Sequence, residues 1–182
     1  MNDSAYPTAL DLRLTGAAAR FAGKARSMPE GHLIHRHARE QHEALAGYVV
    51  RASSPQGRFP ARPYDGGTLA RVEAVGKHLL YHFEDGLPAI HVHLGMRGLF
   101  LRHDEPASAP RGGTRLRLAT GTVAYDLIAP SRCESLDSRG VAALFASLGP
   151  DPLREDASAT EAVRRLTAYR GAVGAGVLDQ KV

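Results

Sequence analysis

Apolar residues recur with helical spacing in the segment that follows Gly31. The positions that would form one helix face are three or four residues apart, at Leu33, Ile34, Ala38, Gln41 and Leu45. Such spacing places side chains on one side of an α-helix. Gly47 then stands where a helix commonly ends, because glycine readily adopts the left-handed backbone of a C-terminal cap. The pattern predicts an α-helix over residues 31–46.

Short apolar runs separated by turn residues dominate the middle of the chain. The runs cover residues 48–54, 68–75, 77–83, 89–94, 98–102, 114–119 and 122–128. Residues 54–67 are dense in proline and glycine and predict a long loop. Closely spaced short strands with turns between them are typical of a meandering antiparallel sandwich or barrel.

The pattern turns helical after Pro130. Residues 139–148 predict one helix, which is ended by the sequence GPDP. Residues 158–169 predict a second, with Ser158 as its N-cap and a glutamate three residues later. A third helix is expected to begin within residues 173–182, where no stop signal follows. The predicted fold class is α+β: an antiparallel β-sandwich flanked by helices, followed by a partial helical module.

Composition limits the classes of protein to which the chain can belong. Its 182 residues suit one domain, and 43% are hydrophobic, enough for a sizeable core. The formal charge of +4 and the pI near 9.5 fit a partner that carries phosphates, and fit many other soluble proteins as well. Cys133 is the single cysteine, so no intrachain disulfide or multi-cysteine zinc site can form. We expect a cytoplasmic location, because the chain lacks a leader pattern and an apolar run of about 18 residues.

The tripeptide Met28-Pro29-Glu30 offers the first candidate chemistry. Removal of the methionine would leave Pro29 with a free secondary amine. A terminal amine has a pKa of about 8, well below the value of about 10.4 for lysine, so it can attack a sugar aldehyde carbon at neutral pH and form an imine. Glu30 could act beside it as general acid or base. A proline in the first turn of a helix, followed by a stabilising acid, explains the same residues without chemistry.

Two further signals lie in the predicted strands and turns. Lys77 follows Gly76 at a turn, where it can clamp a phosphate or simply be solvated. His91 and His93 are two apart on a strand and share a face, so they can be two metal ligands, a phosphate contact, or partly buried histidines with hydrogen bonds. Met96, between two glycines, is predicted to be exposed on a turn and able to wedge between bases.

Five ordered motifs, MPEGHLIHRHARE, GKHLL, HVHLGMRG, GPDPL and GAGVLDQKV, resemble those of the formamidopyrimidine-DNA glycosylase and endonuclease VIII family. The resemblance covers Met28 to Val182 and includes the MPEGH, SSPQGRF and GKHL sequences of the actinobacterial endonuclease VIII-like branch. It implies a catalytic β-sandwich domain over 28–150 and the truncated start of a helix–two-turns–helix module over 151–182. Residues 1–27 are then expected to be an N-terminal extension, disordered or not native.

The function that the resemblance implies is base-excision repair. The chain would be a bifunctional DNA glycosylase and abasic-site lyase that removes oxidised bases, with pyrimidines favoured, from damaged double-stranded DNA. It would act as a monomer in the bacterial cytoplasm, associated with the nucleoid and not with a membrane. No cofactor is expected, because the zinc finger of the family needs four cysteines.

The resemblance also implies roles for single residues. Pro29 would form the imine as a Schiff base, and Glu30 would help to open the sugar. Lys77 and His93 would contact phosphate near the lesion, and Met96 would fill the gap left by the everted base. The candidate site residues are Pro29, Glu30 and Lys77 for catalysis, His93, Met96 and Arg97 for DNA binding, and none for a metal.

The chain departs from the family pattern at several positions. Leu33 stands where many members have an acid, and Ile128 where many have a void-filling arginine. The glycine turn and the asparagine that follow LDQKV in the family are missing, as is the finger. With residues 1–27 attached, Pro29 has an amide nitrogen that cannot attack a carbon. Those residues would then be a misassigned start, a fusion remnant or a propeptide.

Three alternatives remain open at the level of sequence. A catalytically inactive DNA-binding fragment of the same family would bind DNA without covalent trapping. A small metal-dependent β-barrel enzyme would use His91 and His93 and would need a third ligand. An interaction module without chemistry would leave the ordered motifs unexplained.

Overall fold

The computed structural model of the protein describes residues 30–182, so the predictions for Pro29 and for residues 1–27 lie outside the described residues. The helices are α1 (Gly31–Leu45), α2 (Ser138–Ser147), α3 (Ala159–Ala168) and α4 (Val173–Leu178), and a 3-10 turn covers Arg62–Tyr64. The strands are β1 (Arg51–Ser53), β2 (Leu69–Val75), β3 (His78–Phe83), β4 (Ala89–His93), β5 (Leu99–His103), β6 (Thr114–Ala119), β7 (Ala124–Ile128) and β8 (Arg132–Leu136).

The strands form two four-stranded antiparallel sheets. Their orders are β1-β6-β7-β5 and β2-β3-β4-β8. In the second sheet His78 lies opposite Val75 across the β2–β3 hairpin and opposite His93 in β4. These short connections follow the turn residues of the sequence, and the predicted α+β class with an antiparallel sandwich and flanking helices is confirmed.

One core joins α1 to both sheets. The buried face of α1 consists of Ile34, Ala38, Gln41 and Leu45, four of the five positions that the helical spacing singled out. Burying one such aliphatic side chain contributes about 1.5–3 kcal/mol. Side chains from both sheets complete this core, among them Val72, Leu79, Tyr81, Leu116, Leu118 and Leu127. The packing fixes α1 against the second sheet, and with it the start of the helix.

The chain after Pro130 differs from the prediction of helices alone. Residues Arg132–Leu136 form β8, which pairs with β4 so that Arg132 lies opposite His93. The run RCESL has few apolar residues, because an edge strand needs only backbone hydrogen bonds on one side and can expose its side chains to water. The expectation that the chain turns helical directly after Pro130 was therefore wrong for residues 132–136, to which no element was assigned.

The C-terminal helices agree with the sequence pattern in part. The Ser158 side chain caps α3 by accepting a hydrogen bond from the Glu161 N–H at 3.2 Å, as predicted. The expectation of a third helix without a stop was wrong, because α4 ends at Leu178 and Asp179 accepts a hydrogen bond from the Lys181 N–H. The predicted boundary at residue 150 falls between α2 and α3 and stays a prediction. Among residues 30–182, no helix has the length and apolar character that crossing a membrane requires.

Candidate functional site

Glu30 and Lys77 meet at one end of the sandwich. Glu30 directly precedes α1, and Lys77 lies in the turn between β2 and β3. The Lys77 Nζ is 3.0 Å from a Glu30 carboxylate oxygen. The two elements lie close together, because a Cβ added at Gly31 would be in van der Waals contact with the Gly76 carbonyl oxygen, at 3.4 Å. A solvent-accessible ion pair contributes only about 0–1 kcal/mol to stability, so this contact adds little to the stability of the fold.

Met96 and Arg97 are exposed on the turn that follows β4. The Gly98 N–H closes the turn onto the Leu94 carbonyl at 3.0 Å. Gly95 has φ +65° and a Cβ there would lie 2.7 Å from Ser131, so only glycine fits. The Met96 side chain is 74% exposed, as predicted, although burial of a methionine side chain would be favourable. An exposed flexible apolar side chain is thus presented by a tightly constrained turn.

His93 ends β4 and has a defined tautomer. Its Nδ1 accepts a hydrogen bond from the Gly95 N–H at 3.1 Å, so the proton of the neutral ring is on Nε2. The Ser131 hydroxyl, 2.9 Å from the same Nδ1, can donate to the His93 carbonyl. Burial lowers the pKa of His93, and His91 and the nearby cations lower it further. At neutral pH the ring is therefore an uncharged group with an Nε2–H to donate.

A hydrogen-bonded chain of side chains lies beside His93. His91 Nδ1 is 3.0 Å from a Glu134 carboxylate oxygen, and His91 Nε2 is 2.9 Å from His78 Nδ1. A carboxylate can only accept, so His91 donates to Glu134 and accepts from His78. The His78 ring then packs edge-on against His93, with 4.8 Å between the ring centroids.

The hydrogen bonds that join His78, His91 and Glu134 argue against the metal-binding alternative. Both ring nitrogens of His91 already have hydrogen-bond partners. Within residues 30–182, no three histidine, cysteine or acidic side chains are arranged to hold a metal ion. The structure therefore does not favour His91 and His93 as two ligands of such a site, because the shared face of the strand is used for hydrogen bonding.

Sequence reasoning missed several residues of this face. Arg132 lies opposite His93 in β8 and is 66% exposed, so it adds a cation beside Lys77 and Arg97. His78 and Glu134 were also missed. His78 stands directly after the lysine in GKHLL, but Arg132 and Glu134 belong to the unpredicted strand β8, and only its pairing brings them here. The two departures from the family pattern, Leu33 and Ile128, are both partly buried.

The fold and a family comparison together define the class of the protein. The two four-stranded antiparallel sheets with flanking helices agree with the fold that the sequence resemblance implies. The family model for the formamidopyrimidine-DNA glycosylase N-terminal domain matches residues 28–139. The chain belongs to the formamidopyrimidine-DNA glycosylase family.

The chain is similar to several bacterial proteins. It is 44% identical over 161 residues to endonuclease 8 1 of Mycobacterium tuberculosis, covering 85% of this chain and 60% of that relative. It is 32% identical over 162 residues to a probable endonuclease 8 2 of Streptomyces coelicolor, covering 85% of this chain and 57% of that relative. The chain thus spans less than two thirds of the length of these relatives.

The fold is also found among solved structures. The Lactococcus lactis formamidopyrimidine-DNA glycosylase, non-covalently bound to DNA that contains an AP site, superposes with a TM-score of 0.62 at 20% identity. The match covers 81% of this chain and 60% of the other. At this identity the likeness establishes the shared fold.

Proposed function

We propose that this chain recognises damaged double-stranded DNA and carries the base-excision site of a DNA glycosylase of the endonuclease VIII type. The observation that carries the proposal is the 3.0 Å contact between Glu30 and Lys77 at the end of a face that also presents His93, Met96 and Arg97. The endonuclease 8 names of two relatives support this reaction class. Oxidised bases, with pyrimidines favoured, are the substrates that we propose on this ground.

The face offers complementary contacts to a duplex from which one nucleotide has been everted. Lys77, Arg97 and the Nε2–H of His93 are donors suited to phosphate oxygens. Eversion leaves a gap in the base stack, and an apolar side chain inserted there recovers part of the lost stacking. Met96 is the exposed, flexible side chain that we assign to this insertion.

The proposed chemistry uses an amine and an acid, and it needs no metal. The free amine of Pro29 attacks C1′ of the damaged nucleotide, the C1′–N bond to the base breaks, and the base leaves with a proton. Glu30 supplies a proton to the ring oxygen as the sugar opens, which yields an iminium ion on C1′. The iminium makes the C2′ proton acidic, and its loss expels the 3′ phosphate, which is the lyase step.

Covalent chemistry requires that the Pro29 nitrogen be a free amine. In the 182-residue chain this nitrogen belongs to an amide, and its lone pair is delocalised into the carbonyl. The amide bond at Pro29 therefore favours a second candidate function for the 182-residue form, which is DNA binding without covalent reaction. We propose that the form starting at Pro29 is the reactive one, that it acts as a monomer, and that it works on the nucleoid of a bacterial cytoplasm.

Borohydride trapping on a duplex with one abasic site tests the proposal. The form that starts at Pro29 should give a covalent protein–DNA adduct, and the 182-residue form should give none. The matched control is a Pro29-initiated Glu30→Gln variant, which keeps the amine but should excise a damaged base far more slowly. Equal trapping by the short and long forms, with intact masses verified, would contradict the assignment of Pro29.

A further inference from the structure

The C-terminal segment contacts both elements that carry the Glu30–Lys77 pair. A single carboxylate oxygen of Asp151 accepts two hydrogen bonds, from His35 Nε2 at 2.7 Å and from the Gly76 N–H at 2.6 Å. His35 lies in the first turns of α1, just after Glu30, and Gly76 directly precedes Lys77. Asp151 therefore bridges the start of α1 and the β2–β3 turn.

Gln180 holds the same turn from the end of the chain. Its side-chain oxygen accepts a hydrogen bond from the Lys77 N–H at 2.7 Å. The Gln180 backbone is held in turn, because its carbonyl accepts from the Gly149 N–H at 2.7 Å. A Cβ at Gly76, which has φ +55°, would lie 2.6 Å from the Gln180 side-chain oxygen. The positive φ favours glycine before Lys77, and a larger residue there would displace the Gln180 side chain. The contact joins two separate sequence motifs, GKHLL and LDQKV.

Burial and further hydrogen bonds stabilise the contacts of the C-terminal segment. The Asp151 side chain is only 6% exposed, and its second oxygen accepts from the Leu153 N–H at 3.0 Å. Burial by itself would raise the pKa of Asp151, but the N–H donors of Leu153 and Gly76 and the His35 ring outweigh it and leave the pKa below its usual value. Arg154 adds two bonds to β2, at the Glu73 carboxylate and the Ala74 carbonyl. Charge-assisted bonds of this kind are stronger than the exposed Glu30–Lys77 pair.

We infer that Asp151 and Gln180 are positioning residues that set the placement of Lys77 relative to Glu30. The C-terminal segment would then shape the reaction site in addition to any contact that it makes with DNA. This inference rests on the proposed function, because the benefit of a fixed Glu30–Lys77 geometry is catalytic. Solvent-accessible side chains on two separate elements do not hold a productive geometry by themselves. The partly buried hydrogen bonds of the segment hold the two elements together.

Two substitutions of Gln180 isolate the hydrogen bond to Lys77. Gln180→Met keeps the length of the side chain and removes the acceptor, whereas Gln180→Glu keeps an acceptor oxygen. Gln56→Met is the matched control, because Gln56 makes an exposed bond to Arg115 on another part of the fold. Amide hydrogen exchange of Lys77, measured by NMR on the full chain, should be about tenfold faster in Gln180→Met, because an acceptor is lost from a partly buried donor. It should be unchanged in Gln180→Glu and Gln56→Met.

A second measurement separates positioning from simple support of the fold. The affinity for a duplex with one abasic site is measured for wild type, Lys77→Ala, Gln180→Met and the double variant. If Gln180 places Lys77, the loss caused by Lys77→Ala should be smaller by about threefold or more in the Gln180→Met background. Gln180→Glu should restore the full effect of Lys77→Ala.

The outcomes distinguish the inference from the proposed function. Unchanged exchange of the Lys77 amide in Gln180→Met would overturn the inference, and so would additive effects in the affinity cycle. A wild-type chain that binds no duplex would defeat the proposed function. The exchange rates would still decide whether Gln180 holds the turn.

Discussion

At the scale of single residues, the site contains two donors of different character. Lys77 carries a full charge on a flexible stem, 32% exposed, whereas His93 is a partly buried ring that is neutral at pH 7 because burial lowers its pKa. A phosphate contact by each would therefore respond to different variables, salt for the lysine and pH for the histidine. The proposed roles of both residues stay predictions. Because one contact depends on salt and the other on pH, the two roles can be tested separately.

Lys77→Ala should weaken binding to damaged and undamaged duplex alike. Each phosphate neutralised by a cation releases about one counterion, so the plot of log affinity against log salt should become shallower by about one unit. Fluorescence anisotropy over a salt series measures this slope. Arg51→Ala, which removes an exposed cation from strand β1 of the other sheet, is the control. An unchanged slope in Lys77→Ala would mean that Lys77 is merely solvated.

His93 should contribute more to DNA binding in acid than at neutral pH. Its pKa in the free protein lies below 6.5, so the ring becomes a cation only as the pH falls through that lowered value. His93→Ala should therefore cost more affinity below the pKa than above it. His93→Gln keeps an N–H donor but cannot be charged, so it should bind like wild type at pH 7.5 and more weakly than wild type once the pH falls below the lowered pKa of His93. A penalty independent of pH would exclude a cationic contact.

At the scale of elements, the His78–His91–Glu134 chain joins the strands β3, β4 and β8. Burial lowers the pKa of His78 to about 4, and the neighbouring His91, His93 and Arg132 add to the effect. A histidine whose pKa is depressed by folding binds fewer protons in the native state than in the unfolded state. Stability is therefore present above pH 6.5 and is lost as the pH falls from about 6.5 towards about 4.

Acidification should accordingly destabilise the sheet through His78. After allowance for solvent screening, this ring should account for about 1–2 kcal/mol of the loss in unfolding free energy between pH 7 and pH 4.5. Urea denaturation at both pH values measures the loss. His78→Gln, which cannot be protonated, should show a smaller difference between the two pH values. An equal difference in variant and wild type would show that other groups control the acid response.

At the scale of the whole molecule, the sandwich and the C-terminal helices differ in how much apolar surface they cover. The sandwich buries a continuous core, whereas exposed fractions of 63% to 81% are found for Val163, Val173, Val177 and Leu178 of α3 and α4. Short helices without a covering partner are marginal in water. The hydrogen bonds of Asp151, Arg154 and Gln180 nevertheless fasten the segment to the sandwich at its two ends.

We expect residues 158–178 to exchange amide hydrogens much faster than residues 48–128, unless two chains cover each other's exposed faces. Hydrogen exchange with mass spectrometry measures the difference, and sedimentation velocity on the same sample reports whether the protein is a monomer. Slow exchange through residues 160–178 in a proven monomer would show that α3 and α4 find sufficient cover of their own.

The sequence by itself determined the elements whose signals are local. The α1 face repeats every three or four residues, the strands before Pro130 are apolar runs between turns, and Ser158 caps α3 through the N–H of Glu161. The sequence also predicted the exposure of Met96 on a turn between two glycines. Each of these features depends on residues close together in the chain, so the pattern contains the cause.

Only the tertiary structure decided the features that depend on distant partners. Strand β8 exists because β4 offers it backbone partners, and its polar sequence RCESL gives little sign of this. The same pairing brings Arg132 opposite His93, and packing of α1 on the sheet brings Glu30 to Lys77. Asp151 and Gln180 meet the Gly76–Lys77 turn across long stretches of sequence. A hydrogen bond between distant residues leaves no periodic trace in the sequence, because its energy depends on a distance that only the folded chain defines.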